Sequence, residues 1–125
     1  MSAPARQPID LADVYNRLRT VLDPYRNRMQ VLQDNERGIY LNAPTVMKNG
    51  QPLFFAAVAI TKRYVSFHVY PVHMYPDLLD GIGDLKKRMQ GKSCFNFSKV
   101  TEEQVAAMGD LVRRGYERYR AEVDI

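Results

Sequence analysis

Few side chains in this chain have chemistry to offer: two histidines, one cysteine and eight tyrosines among 125 residues. His68 stands in the run Tyr64-Val65-Ser66-Phe67-His68-Val69-Tyr70, and His73 follows beyond Pro71. A histidine titrates near neutrality, so each is a candidate general base or metal ligand. The proline break leaves the two imidazoles without a fixed common face, and no patterned carboxylates accompany them, so no metal site is expected. A histidine among strand tyrosines is more often a hydrogen-bonded structural group than a catalyst. Cys94 lies in Gly91-Lys92-Ser93-Cys94-Phe95-Asn96-Phe97. Lys92 nearby favours a thiolate, but no pairing with a histidine can be read from spacing, and a free cysteine usually behaves as a small buried apolar residue. Gly91-Lys92-Ser93 lacks the earlier glycine and the preceding strand of a phosphate-binding loop. No dinucleotide fingerprint, Ser-His-Asp order or carboxylate pair stands out. We therefore assign no catalytic residue and expect no cofactor.

Positioning these groups requires a folded domain, and the composition supplies one. Apolar residues make up 46% and charged residues 26%, an ordinary globular balance. Residues 1–8, with two prolines and no apolar core, read as a disordered lead and not a signal peptide, leaving 9–125 as one domain. A single cysteine excludes an intrachain disulfide and points to a reducing cytosol. Leu53 to Ile60 is too short an apolar run to span a bilayer. The net charge of +4 permits an anionic partner without requiring one. Lys86, Lys87, Arg88 and Lys92 form one basic cluster; Arg113, Arg114, Arg118 and Arg120 form another, with acids spaced for pairing as Asp110–Arg114, Arg113–Glu117 and Arg118–Glu122. A solvated face laced with ion pairs accounts for these more readily than the alternative, an anion-binding patch.

The elements follow from periodicity. Asp10 caps a helix whose apolar stripe runs Leu11, Val14, Tyr15, Leu18, Val21, Leu22, and Pro24 ends it near Leu22 or Asp23. Met29–Gln33 and Gly38–Asn42 form a hairpin around Asp34-Asn35-Glu36-Arg37. Asn49-Gly50 joins Thr45-Val46-Met47 to a long strand, Leu53–Ile60. Thr61-Lys62-Arg63 turns the chain into Tyr64–Tyr70, giving an antiparallel meander. Leu78, Leu79, Ile82, Leu85 and Met89 predict broken helix ending at Gly91, and Cys94–Phe97 a short edge strand. Thr101 and Gln104 form a capping box for the last helix. The expected fold is α+β: about five antiparallel strands, with N-terminal and C-terminal helices on one face.

Parity then isolates a surface. Val65, Phe67 and Val69 point towards the helices, and Tyr64, Ser66, His68 and Tyr70 point away. On the neighbouring strand, alternation places Leu53, Phe55, Ala57 and Ala59 on one side and Phe54, Ala56, Val58 and Ile60 on the other. Both sides are apolar, so something must cover part of the second face: the chain's own loops, a second copy, or a ligand. Small alanines leave room above the sheet, which favours a cleft.

The Asn-Gly hairpin, Ala56-Ala57-Val58-Ala59-Ile60, Tyr64-Val65-Ser66-Phe67-His68-Val69-Tyr70-Pro71 and above all Gly91-Lys92-Ser93-Cys94-Phe95-Asn96-Phe97 together resemble the YdhG-like family. These are small, mostly bacterial domains of unknown function, and the likeness runs from the first helix to the last. It implies a compact α+β fold. Some members are described as frataxin-like intracellular iron chaperones, an activity that relies on an acidic surface. Here Arg17 and Arg19 share the first helix with Asp10, Asp13 and Asp23, and the net charge is positive, so the iron role is not carried over. The family residues falling on the polar face or its rim are Ser66, His68, Lys92, Ser93 and Asn96. With Tyr64 and Tyr70 they make the candidate ligand-binding set. The leading expectation is a non-catalytic module with a Tyr/His/Ser-lined cleft for a small ligand, anionic ligands included; a structural or regulatory homodimer is the alternative. An enzyme ranks third. Nucleic-acid binding ranks last, because a recognition strand would interleave aromatic and basic residues.

Overall fold

Asp10 opens the first helix in the computed structural model, which describes residues 10–123 and 125; the lead expected over residues 1–8 lies outside them. The Asp10 carboxylate accepts from the Asp13 N–H at 3.1 Å, satisfying a donor that the helix start leaves unpaired. Helix α1 (Leu11–Arg19) buries Val14, Tyr15 and Leu18. It stops short of Leu22, because the chain tightens into a 3₁₀ turn over Thr20–Tyr25 that takes Pro24 inside it.

Six antiparallel strands follow: β1 (Gln30–Asn35), β2 (Gly38–Val46), β3 (Pro52–Ile60), β4 (Val65–Val69), β5 (Met89–Gln90) and β6 (Cys94–Phe97). Their order across the sheet is β1-β2-β3-β4-β6-β5. The meander therefore holds to β4, and β6 then inserts between β4 and β5. Cys94–Phe97 is an interior strand and not the expected edge. Between β4 and β5 come a short helix α2 (Tyr70–Met74) and 3₁₀ turns over Pro76–Leu79 and Gly83–Arg88. The strand expected to reach Tyr70 thus ends at Val69. The expected helix likewise stops before Met89, which pairs with Phe95 instead. Gly91, with φ +80°, makes the β5–β6 turn and is not a helix terminus. Thr45 and Val46 continue β2 through Pro44 and do not form a separate strand. Gly50 turns the chain into β3 at φ +83° as the Asn-Gly signal requires.

β4 alternates as expected. Val65, Phe67 and Val69 are fully buried and share one core with Tyr15, Leu18, Leu111 and Val112 from the helices. β3 does not alternate throughout. Leu41 pairs with Ala56 and Asn42 with Phe54, so Phe55 is an extra residue, a β-bulge. The bulge turns Phe55 and Ala56 both towards the core, and parity reverses across it. Leu53, Phe55, Ala56, Val58 and Ile60 belong to the core side; Phe54, Ala57 and Ala59 belong to the other. Both faces of β3 remain apolar, as alternation suggested, but the inserted residue changes which side chains lie on each.

Helix α3 (Glu102–Glu122) lays Met108, Leu111, Val112 and Tyr119 against this core. Its start is a reciprocal capping box: Thr101 Oγ1 accepts from the Gln104 N–H at 3.1 Å, and Gln104 Oε1 accepts from the Thr101 N–H at 2.9 Å. Thr101→Ala removes one of these bonds and is expected to cost about 1 kcal/mol, read as a lowered denaturation midpoint. Along the helix Asp110 pairs with Arg114 and Arg113 with Glu117. Arg118 reaches Asp77 with two N–H donors instead of pairing with Glu122, because a two-point fork to one carboxylate outcompetes a single contact within a helix.

Candidate ligand-binding face

The helices lie on one side of the sheet, and the other side is open among the described residues. Cross-strand register decides which residues meet there. Ser66 stands opposite both Ala59 and Asn96, and His68 opposite both Ala57 and Cys94. Tyr40 stands opposite Ala57, and Asn42 opposite Phe54. Opposed residues share a face, so Ser66, His68 and Asn96 of the expected set are brought together. Cys94, Tyr40, Asn42 and Phe54 join them.

Aromatic rings run across this surface. Tyr40 stacks on Phe54 at 4.7 Å between centroids, and Phe54 meets Tyr70 at 5.6 Å and His68 at 6.5 Å. Tyr70 in turn stacks on His73 at 5.1 Å. Tyr70 belongs to the set through this contact, although it opens α2 and lies in no strand. Ala57 is only 6% exposed on a face without a helix above it. Its cross-strand neighbours on this face are Tyr40 and His68. The surface is a platform more than a cleft.

The polar groups here are under-used. The His68 imidazole has no hydrogen-bond partner among the described residues. Partial burial pushes its pKa below the usual value, so the ring is neutral at pH 7. Asn42 is 5% exposed and its amide also finds no partner among them. Ser66 Oγ makes one long bond, to the Ala59 carbonyl at 3.4 Å.

Cys94 is half-buried on this face and not a core residue, and its thiol donates to Asn96 Oδ1 at 3.3 Å. Alternation along β6 explains this, since Phe95 and Phe97 take the core side. Desolvation raises the thiol pKa while it lowers that of His68. The two groups face each other in register, yet both are held neutral, the opposite of a thiolate–imidazolium nucleophile.

The remaining expected residues lie elsewhere. Tyr64 sits before β4, its carbonyl accepting from the Thr61 N–H and hydroxyl. Lys92 and Ser93 form the β5–β6 turn, where the Ser93 carbonyl accepts from the Val69 N–H at 2.9 Å. A two-residue strand does precede Gly91-Lys92-Ser93, but it leads into another strand and not a helix, so no phosphate-binding loop results. Tyr40 and Asn42 were legible by alternation with Ile39 and Leu41 along β2; Phe54 was hidden by the bulge.

Among the described residues no group of three or more His, Cys, Asp and Glu is placed to hold a metal ion. No helix among them is long and apolar enough to cross a membrane. Fold and face together define an α+β domain with a six-stranded antiparallel sheet, helices on one side and aromatic residues on the other. No family model, curated protein or solved structure matches the chain.

Proposed function

We propose that this is a non-catalytic binding domain whose open sheet face receives a small planar ligand. The observation that carries this reading is the continuous Tyr40–Phe54–Tyr70–His73 row beside two polar side chains, Asn42 and His68, that lack partners among the described residues. Aromatic rings offer a stacking surface, and a side-chain amide and a neutral imidazole each supply both a donor and an acceptor to orient what stacks there. We also propose that the chain is related to the YdhG-like family, on its sequence motifs alone. The distinctive Gly91–Phe97 run turns the β5–β6 hairpin, sends Phe95 and Phe97 into the core and sets Cys94 and Asn96 on the open face. A reducing cytosol suits the half-exposed Cys94 thiol.

Thermal shift with indole, salicylate and adenosine tests the proposal. A ligand at a hundred times its Kd adds about 2.7 kcal/mol of stability, and Tyr40→Ser should abolish that gain. A melting point indifferent to all three probes counts against the planar-ligand reading. The flatness of the face favours one second reading, a homodimer joined sheet to sheet, because two ring-covered platforms bury each other's aromatic surface. Light scattering and a melting temperature that rises with protein concentration would select the dimer over the ligand.

A further inference from the structure

Away from the open face, α2 and the following 3₁₀ turn stand apart from the β5–β6 hairpin and leave a groove of about 580 Å³. Val72, Pro76, Leu79 and Met89 supply apolar walls, while among the described residues Lys92 and His73 are its only ionisable lining residues and no carboxylate lines it. Asp77 and Asp80 flank this stretch of chain, but neither lines the groove, and Asp77 is engaged by Arg118. Lys92 is exposed and takes part in no ion pair among the described residues.

From this combination we propose a second site, for an amphiphilic carboxylate: an acid whose hydrocarbon part lies along Val72, Pro76, Leu79 and Met89 and whose carboxylate meets the Lys92 ammonium. The groove lies within the volume range that encloses small ligands. Its chemistry is divided as such a ligand requires, with apolar walls and one unneutralised cation. A neutral ligand would leave the ammonium unused, and a cationic amphiphile would be repelled by it. The geometry also explains why Lys92 sits apart from Ser66, His68 and Asn96: it serves the groove and not the sheet face. The groove shares His73 with the aromatic row of the open face, and its other lining residues lie outside that row.

The test is a titration of the isotope-labelled full chain with sodium decanoate below its micelle concentration, following backbone amides by NMR. Saturable shifts are expected at His73, Leu79, Met89, Gly91 and Lys92. Hexanoate should bind at least about tenfold more weakly, since each buried methylene contributes. Lys92→Gln, a surface change that leaves the core untouched, should weaken decanoate about fivefold, the scale of a partly exposed ion pair. Decyltrimethylammonium, with the same tail and opposite charge, should not saturate the site. Equal affinity of Lys92→Gln and the parent would overturn the proposal, as would equal binding of the cationic amphiphile. Shifts confined to Tyr40, Phe54, Ala57 and His68 would also overturn it, while leaving the reading of the open face intact.

Discussion

Phe67→Ala is expected to lower stability by about 3–5 kcal/mol, because a fully buried aromatic ring is lost and a cavity remains. His68→Ala, one residue along, is expected to cost less than about 1 kcal/mol. Phe67 is wholly inaccessible and stands opposite Val58 and Phe95, both also at 0% exposure. His68 makes no hydrogen bond among the described residues and only edges Phe54. Chemical denaturation of the two variants reads the difference directly. Similar large losses would mean that the second face is filled like a core, by chain or by partner, and concentration-dependent melting would then single out the partner. A reversed order would place His68 inside and dismantle the proposed site.

That contrast rests on the part of the fold most legible from sequence. Local signals with their own short-range partners were readable: Asp10 and Thr101 bond to groups three residues away, and Gly50 needs only its own positive φ. β4 could be read by alternation because it runs without a bulge between β3 and β6. The failures share one cause, which is pairing decided at long range. Met89 fits a helical stripe with Leu85 as well as it fits a strand, and only Phe95 across the hairpin selects the second. β6 looked like an edge because its outer neighbour is a two-residue strand.

The candidate site divides along the same line. Strand parity places Ser66 and His68 on one face, and the register of β6 adds Asn96, which the sequence offers only through the resemblance. Phe54, the hub of the aromatic row, was assigned beside Ala56 and Val58 because nothing in Leu53-Phe54-Phe55-Ala56 marks an extra residue. The bulge exists only relative to Leu41 and Asn42 on β2. Lys92 joins the expected set through the family resemblance, whereas its groove partners Val72, His73, Pro76 and Leu79 arrive from the segment after β4. A groove formed between two such segments has no sequence period to betray it.

Two glycines of α3 carry the last expectation, because their surroundings are opposite. A Cβ on Gly109 would meet nothing within 4 Å, whereas one on Gly115 would lie 2.9 Å from Pro71 Cβ and 3.0 Å from Pro71 Cγ. Gly109→Ala should therefore stabilise the protein by about 0.8 kcal/mol, the ordinary helical preference for alanine. Gly115→Val gains no such benefit. Its branched side chain must displace a buried proline ring that has no rotamer to escape into, at a cost of about 3 kcal/mol. Thermal and denaturant unfolding of both variants measure the two signs. The consequence reaches the functional surfaces, since Pro71 follows Tyr70 directly in the first turn of the helix that carries Val72 and His73. Gly115 is the point where α3 lets α2 approach closely enough to hold Tyr70 against Phe54 and His73 beside the groove. A Gly115→Val protein as stable as the parent, with unshifted amides at Tyr70 and His73, would show that α2 is not seated on α3 in this way.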